Sequence, residues 1–237
     1  WGSMRRPAFG RAIRNICQRD RDGAVVVLQS YAKVPATMPW GVRRGLKRLK
    51  LDHADILLLG WIDKPIRDGL LNAALRLKEQ GLVRFIAQST HHRPLAGDLV
   101  AAPRERCPFD ALHVRYNAAH RGAEAEVFDR LPRDPRAAPG LVTFTTTRWG
   151  TLLRPSKAAP EGLGPPSSTD CYRFALSNPA PSVVLCGPGN QEQMDLALAA
   201  LEAGPMSEDE MVRMRAWGDA VYANPPFRPS ASVFSRF

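Results

Sequence analysis

Leu51-Asp52-His53-Ala54-Asp55-Ile56-Leu57-Leu58-Leu59-Gly60-Trp61 decides how the rest of the chain is read. Its short apolar run, entered through a polar turn and left through Ile62-Asp63-Lys64-Pro65, suits a strand covered on both faces. Such a strand belongs in a parallel sheet and ends at a loop able to carry function. The same rhythm repeats on either side. Strands are expected at Ala24 to Gln29, Ala54 to Leu59, Val83 to Gln88, Asp110 to Val114, Leu141 to Thr146 and Ser182 to Cys186. Helices are expected at Pro39 to Lys50, Pro65 to Gln80, Pro94 to Ala101, Ala123 to Leu131, Thr169 to Ser177 and Gln191 to Ala203. The second helix is the best marked: Ile66, Leu70, Leu71, Ala74, Leu75 and Leu77 recur at helical spacing and Gly81 ends it. A further helix opens at Ser207-Glu208-Asp209-Glu210, where serine and glutamate can form a capping box. Alternation of this kind argues for a parallel α/β fold. Arg154 to Ser168, rich in Pro, Gly and Ser, reads as a long loop of the kind that carries function.

Composition narrows the class. A chain of 237 residues with 44% hydrophobic and 24% charged residues can bury one sizeable core, so a single domain over residues 1–237 is expected. No run approaches a membrane span, and Trp1 to Arg21 is too polar and broken for a signal peptide, which points to a cytoplasmic protein with no membrane partner. Cys17, Cys107, Cys171 and Cys186 are scattered without a CxxC pair or accompanying histidines, so they read as reduced structural thiols and no metal site is expected. The net charge of +10 comes mostly from arginines spread along the chain. Arg43, Arg44, Lys47, Arg48 and Lys50 are the densest cluster, but their spacing describes the solvated face of a helix, and no nucleic-acid partner is expected.

The opening stretch resembles a barrel strand of the aldo-keto reductases, which reads roughly leucine-aspartate-x-x-aspartate-leucine-x-leucine-leucine-histidine-tryptophan. Both aspartates and the closing tryptophan match, and Gly60 stands where the family holds a histidine that orients the substrate carbonyl. Gly81-Leu82-Val83-Arg84-Phe85-Ile86-Ala87-Gln88-Ser89-Thr90 and Phe109-Asp110-Ala111-Leu112-His113-Val114-Arg115-Tyr116-Asn117 are similar to the next two strands of the family. There a serine-asparagine pair and a glutamine hold the nicotinamide carboxamide, so the resemblance assigns that role to Ser89, Thr90 and His113. His113 alone reads equally well as an ordinary strand histidine.

Leu141-Val142-Thr143-Phe144-Thr145-Thr146-Thr147-Arg148-Trp149-Gly150 resembles the seventh strand and the start of its cofactor-covering loop. Phe144 falls where the family stacks a tyrosine on the nicotinamide, and is otherwise a core residue. Arg148 fits either a cofactor phosphate or an exposed loop position. Val184-Leu185-Cys186-Gly187-Pro188-Gly189-Asn190-Gln191-Glu192-Gln193 resembles the last strand and phosphate loop, which implicates Gly187, Gly189, Asn190 and Gln193. Gly189 stands where the family commonly has an arginine for the adenosine 2′-phosphate, and Leu196-Ala197 where it has an adenine-binding glutamate-asparagine pair.

The resemblance implies a (β/α)8 TIM barrel of aldo-keto reductase type with about six of its eight strand–helix units present. It implies hydride transfer between NADP or NAD and a small-molecule carbonyl or alcohol, with Trp61 and Trp149 lining the substrate pocket. Of the family's catalytic aspartate, tyrosine, lysine and histidine, the lysine maps to Lys33 at the end of Val25-Val26-Val27-Leu28-Gln29-Ser30-Tyr31-Ala32-Lys33. Trp1-Gly2 resembles the tyrosine-glycine pair, so a tryptophan replaces the phenol or the tyrosine preceded Trp1. Material missing ahead of Trp1 is therefore expected, with the first and last strands at open edges. The alternative is a catalytically impaired homologue kept for ligand binding or protein assembly, which Gly60 and the missing acid suggest.

Overall fold

The computed structural model describes residues 7–224. Trp1-Gly2, where the family's tyrosine-glycine pair was sought, lies outside them. Strands and helices alternate throughout: α1 (Pro7–Arg19), β1 (Val27–Ser30), α2 (Thr37–Leu49), β2 (Ala54–Leu59), α3 (Asp68–Glu79), β3 (Val83–Thr90), α4 (Arg93–Ala101) and β4 (Ala111–Arg115) come first. Then follow α5 (Ala123–Glu126), β5 (Gly140–Phe144), α6 (Ser168–Leu176), β6 (Val183–Val184), α7 (Gln191–Ala203) and α8 (Glu208–Ala223). The sheet is six-stranded with the order β1-β2-β3-β4-β5-β6, so each strand lies beside its neighbour in the chain. All six expected strands are present. The helix expected over Ala123 to Leu131 is broken: α5 stops at Glu126, Val127 leaves helical geometry (φ −129°), and Phe128–Arg130 is a separate 3₁₀ turn. Helix α3 begins at Asp68 rather than Pro65, because Arg67 ahead of it is extended (ψ 138°). Helix α1 was not foreseen. Among the described residues, no helix is long and apolar enough to cross a membrane.

The chain divides into two compact units, residues 1–113 with 131–140, and residues 114–130 with 141–237. In the first unit β1 pairs parallel to β2 and β2 parallel to β3, with Val27 opposite Ile56 and Ile56 opposite Phe85. Leu57, Leu59 and Ile86 are buried, as are Met38, Val42, Leu46 and Leu49, a stripe at helical spacing along α2. Asp55 fixes the entrance to this sheet. Its carboxylate accepts from the Val26 N–H at 2.7 Å and from Arg21 at 3.1 Å, while Arg84 reaches its other oxygen at 3.3 Å. Burial alone would raise the Asp55 pKa, but the Val26 N–H and the two guanidinium groups outweigh it and hold the carboxyl below the usual value of 3.8. A carboxyl with a depressed folded pKa stabilises the fold above its unfolded pKa and loses that contribution as the pH falls through the folded value. Asp55→Asn should therefore lower the unfolding free energy by about 2 kcal/mol at neutral pH, with the gap closing below pH 3.8. Urea denaturation at several pH values measures both, and an unchanged gap at pH 3 and pH 7 would contradict the assignment.

In the second unit, Val142 and Thr143 of β5 pair parallel to Val183 and Val184 of β6. The core holds Tyr116 between Phe128, edge-on at 5.0 Å, and Phe174, stacked at 5.5 Å. The Tyr116 hydroxyl donates to Glu124 at 2.6 Å, and Arg215 of α8 clasps the same carboxylate through both terminal nitrogens at 2.9 Å. Helix α8 opens with the expected capping box between Ser207 and Glu210, and its Trp217 is buried with Nε1 donating to the Leu152 carbonyl at 2.8 Å. Close approach is set by Gly218, where a Cβ would run into the backbone carbonyl of Ala118. Glycine to alanine in a helix ordinarily stabilises by up to about 1 kcal/mol. Here the sign should invert, and Gly218→Ala should cost about 3 kcal/mol or more in thermal or chemical unfolding because backbone must shift on both sides.

Candidate functional site

In the first unit the parallel ladder sets up the site. Ser30 lies opposite Leu59 and Leu59 opposite Gln88, and the Gly60 N–H donates to the Ser30 carbonyl at 2.8 Å. One step further the register brings Tyr31, Gly60 and Ser89 level at the strand ends. Leu28 faces α2, where a Cβ on Gly45 would meet it at 3.5 Å, so alternation sends Gln29 and Tyr31 to the opposite face. The gap at Gly60 is filled on that face: a Cβ there would lie 2.6 Å from Tyr31 Cε1 and 3.1 Å from Gln29 Nε2. The Tyr31 ring thus stands where the side chain of residue 60 would emerge.

Lys33 lies beyond this row. Its Nζ donates to the Trp61 carbonyl at 2.8 Å and approaches that of Gly60 at 3.5 Å, while Arg67 donates to its own carbonyl at 2.6 Å. Trp61 is held in the left-handed region (φ 61°), a conformation that costs a non-glycine residue about 1 kcal/mol. The strand neighbour supplies the restraint: Ser89 Oγ accepts from the Trp61 N–H at 3.1 Å, and the Ser89 carbonyl accepts from Ile62 at 2.9 Å. Strain of this kind collects at functional loops. Thr90 faces Asp63, donating to it at 2.8 Å, and the same oxygen accepts from the His91 N–H at 2.7 Å. Burial would raise the Asp63 pKa, but these bonds hold its carboxyl below the usual range. His113, also in this unit, is 4% exposed, and its Nε2 is buried without a hydrogen-bond partner. Burial pushes its pKa down to about 4, so the imidazole is neutral at physiological pH.

In the second unit Phe144 closes β5, half-buried, and the loop after it is strained. Thr145, Arg148 and Trp149 all have positive φ, between 50° and 59°. This loop is tied down from two sides: Asn117 Nδ2 donates to the Thr145 carbonyl at 2.9 Å, and Arg148 Nη1 donates to the Val221 carbonyl of α8 at 2.9 Å. Arg148 thereby satisfies one of the carbonyls left over at a helix C-terminus. Trp149 is half-exposed. At the glycine-rich turn the Gly189 N–H donates to Gln193 Oε1 at 2.8 Å, and Asn190 caps α7 by accepting from the Gln193 N–H at 2.9 Å. Two amides that a phosphate would use therefore have partners within the chain.

Apart from His113, which lies in the middle of β4, the sequence-derived residues fall at or just beyond the C-terminal ends of strands in both units, where parallel α/β folds place their chemistry. Lys33 and Ser89 are joined through the Trp61 backbone, Lys33 Nζ donating to its carbonyl and Ser89 Oγ accepting from its N–H, and Gly189, Asn190 and Gln193 are joined through one another. Tyr31 and Asp63 were missed. Tyr31 stood in the quoted strand two residues before Lys33, and only the register against β2 reveals its place beside Gly60. Among the described residues, no group of three or more His, Cys, Asp or Glu side chains could hold a metal ion.

No protein-family model matches the chain, and no curated protein sequence matches it. Solved structures do. An aldo-keto reductase of Bacillus halodurans, AKR11C1, superimposes in its apo form with a TM-score of 0.66 at 19% identity, covering 88% of this chain and 76% of that one. The holo form of the same protein gives 0.67 over the same shares. The chain has the aldo-keto reductase fold. That fold accounts for the parallel strand order, for β2 ending at Gly60-Trp61, and for the glycine-rich turn after β6 that leads into α7.

The lone imidazole gives a test of its own. A histidine whose folded pKa is below its unfolded value costs the fold stability as the pH falls from 6.5 toward about 4. The penalty should reach about 3 kcal/mol, from 1.36 kcal/mol per pKa unit. His113→Leu should remove that part of the acid sensitivity while leaving stability at pH 7.5 equal or higher, since no hydrogen bond to Nε2 is lost. Denaturation midpoints between pH 4 and 7.5 for the two proteins should diverge on acidification, and parallel curves would refute the neutral buried imidazole.

Proposed function

We propose that the protein is an oxidoreductase of aldo-keto reductase type, which binds NADP or NAD in the cytoplasm and acts on a small-molecule carbonyl or alcohol. The observation that carries this reading is His113 Nε2, a buried polar atom without a partner on the strand that the family resemblance links to the nicotinamide carboxamide. A carboxamide carries both a donor and an acceptor, and so suits a neutral imidazole in either tautomer. Ser89 supports the same assignment: its oxygen accepts from Trp61, and its hydroxyl proton can still be donated. Phe144, at the end of β5, offers an aromatic face. When bound, the nicotinamide supplies or accepts a hydride. Within the first unit the family resemblance gives His113, Ser89 and Thr90 to the carboxamide and Trp61 to an apolar wall for the substrate; within the second it gives Phe144 and Trp149 as aromatic faces.

The phosphate end fits less well. Gln193 must release the Gly189 amide, and Asn190 the Gln193 amide, before a phosphate can use them, and no arginine stands at Gly189. Those engaged amides favour a second reading, a homologue kept for ligand binding or protein assembly in which the dinucleotide is not retained. Titration separates the two. NADPH or NADH should quench the fluorescence of the half-exposed tryptophans, and His113→Ala should weaken the dissociation constant about tenfold, the size of one lost buried hydrogen bond. A chain that neither responds to either dinucleotide nor turns over any member of a broad aldehyde and quinone panel would sink the oxidoreductase reading.

A further inference from the structure

Helices α1 and α2 of the first unit form a surface of unusual composition. Neither contains an aspartate or a glutamate, while α1 carries Arg11, Arg14 and Arg19 and α2 carries Arg43, Arg44, Lys47 and Arg48. The four cations of α2 are exposed, as are Arg11 and Arg19. Their hydrogen bonds go to neutral groups: Arg14 donates to the Arg48 carbonyl at 3.0 Å, which ties the two helices together, and Arg43 donates to Gln80 Oε1 at 2.8 Å. Among the described residues, no carboxylate pairs with any of these cations. The same helices leave large apolar side chains in solvent. Phe9 (57% exposed) and Ile16 (47%) stand at positions i and i+7 on one face of α1, with exposed Ala12 between them and Arg19 one turn beyond, whereas Gly10 and Cys17 are buried. Trp40 of α2 is 65% exposed, with the Arg44 guanidinium 5.0 Å from its ring centre. An amphipathic helix ordinarily turns its apolar stripe to the core. Helix α1 turns one outward.

We propose that the surface of α1 and α2 docks on the anionic face of a phospholipid bilayer, with Phe9, Ile16 and Trp40 entering the headgroup layer and the cations lying among lipid phosphates. Charge complementarity selects this occupant: cations without acidic neighbours on either helix are drawn to an anionic surface, whereas a second copy of the chain would set like charge against like. The apolar stripe selects lipid over nucleic acid. Ile16 gains from acyl chains but offers a nucleic acid neither a ring to stack on nor a hydrogen bond. The expectation of no membrane partner rests on the lack of a spanning run, and docking on a surface needs none. The inference is independent of the oxidoreductase reading.

Co-sedimentation of the full chain with vesicles tests this. Binding should be at least about tenfold tighter to phosphatidylcholine vesicles containing about 30% phosphatidylserine than to phosphatidylcholine alone. Raising the salt from about 0.1 M to about 1 M should abolish the difference, because the screening length contracts from about 10 Å to about 3 Å. The combined Arg44→Gln, Lys47→Gln and Arg48→Gln variant should weaken binding to the anionic vesicles about a hundredfold, from about fivefold for each cation near such a surface. The combined Phe9→Ala, Ile16→Ala and Trp40→Ala variant removes no charge and should weaken it at least about tenfold. All six side chains are exposed, and circular dichroism checks that both variants fold. Vesicle binding that is absent, equal on the two compositions, or unchanged in either variant would overturn the proposal. So would retention of a uridine oligonucleotide, lost in the charge variant, by a chain that ignores vesicles, since the surface would then belong to RNA.

Discussion

The carboxylate of Asp55 ties together the parts on which the first unit's site depends. It sits at the entrance to β2, bonds the Val26 N–H leading into β1, and gathers Arg21 from the turn before β1 and Arg84 from the foot of β3. Three consecutive strands are thereby held in register at one end by a single group. Asp110 repeats the arrangement one strand along, accepting from the Ile86 N–H at 2.9 Å and pairing with Lys78 and Arg104 at 3.0 Å. A parallel sheet has no tight hairpins to set its register, so such pins matter more than they would between antiparallel neighbours. A slip of one residue would turn Tyr31 from the face it shares with Gln29 to the face packed on α2.

What the pins hold fixed is felt at the other end of the strands. Tyr31, Gly60 and Ser89 come level because the ladder below them is in register, and the strained Trp61 is possible because Ser89 offers both its hydroxyl and its carbonyl to the turn. Lys33 completes that turn by bonding its carbonyls. A lysine used this way stabilises a strand-end conformation, and its charge is spent on backbone dipoles. In the second unit the corresponding loop after β5 is anchored differently, by Arg148 and Ser156 donating to the last carbonyls of α8 and by Trp217 donating to Leu152. Helix α8 therefore does more than cover the core, since the loop carrying Trp149 takes its shape from the helix end.

Much of this was legible in the sequence because the strands are short apolar runs, each bounded by turn residues, and that pattern survives whatever the side chains do in detail. The strands, the loop over Arg154 to Ser168 and the capping box at Ser207 could all be read locally. The break in α5 could not, since Ala123 to Leu131 has good helix formers and gives way only where Val127 and Phe128 are drawn into the core around Tyr116. Site residues divide along the same line. Lys33 was found by counting along one strand, and Tyr31 was missed because its significance depends on which residue of the next strand lies opposite. Gly189 and Gln193 both stand out in the sequence, yet the bond between them, which occupies the Gly189 amide, follows from a turn geometry that spacing does not encode.

The groups gathered in the first unit also share an electrical character. Burial keeps the His113 imidazole neutral and raises the pKa of the Tyr31 phenol, while Ser89 and Thr90 contribute hydroxyls. The Asp63 carboxylate beside Thr90 is held by the Thr90 hydroxyl and the His91 N–H. Neutral donors bind a carbonyl or a carboxamide without the desolvation cost of a bare ion, and they discriminate against a free carboxylate, which gains most from a cation. Burial thus sets the character of these side chains, keeping the His113 imidazole neutral and making the Tyr31 phenol a weaker acid.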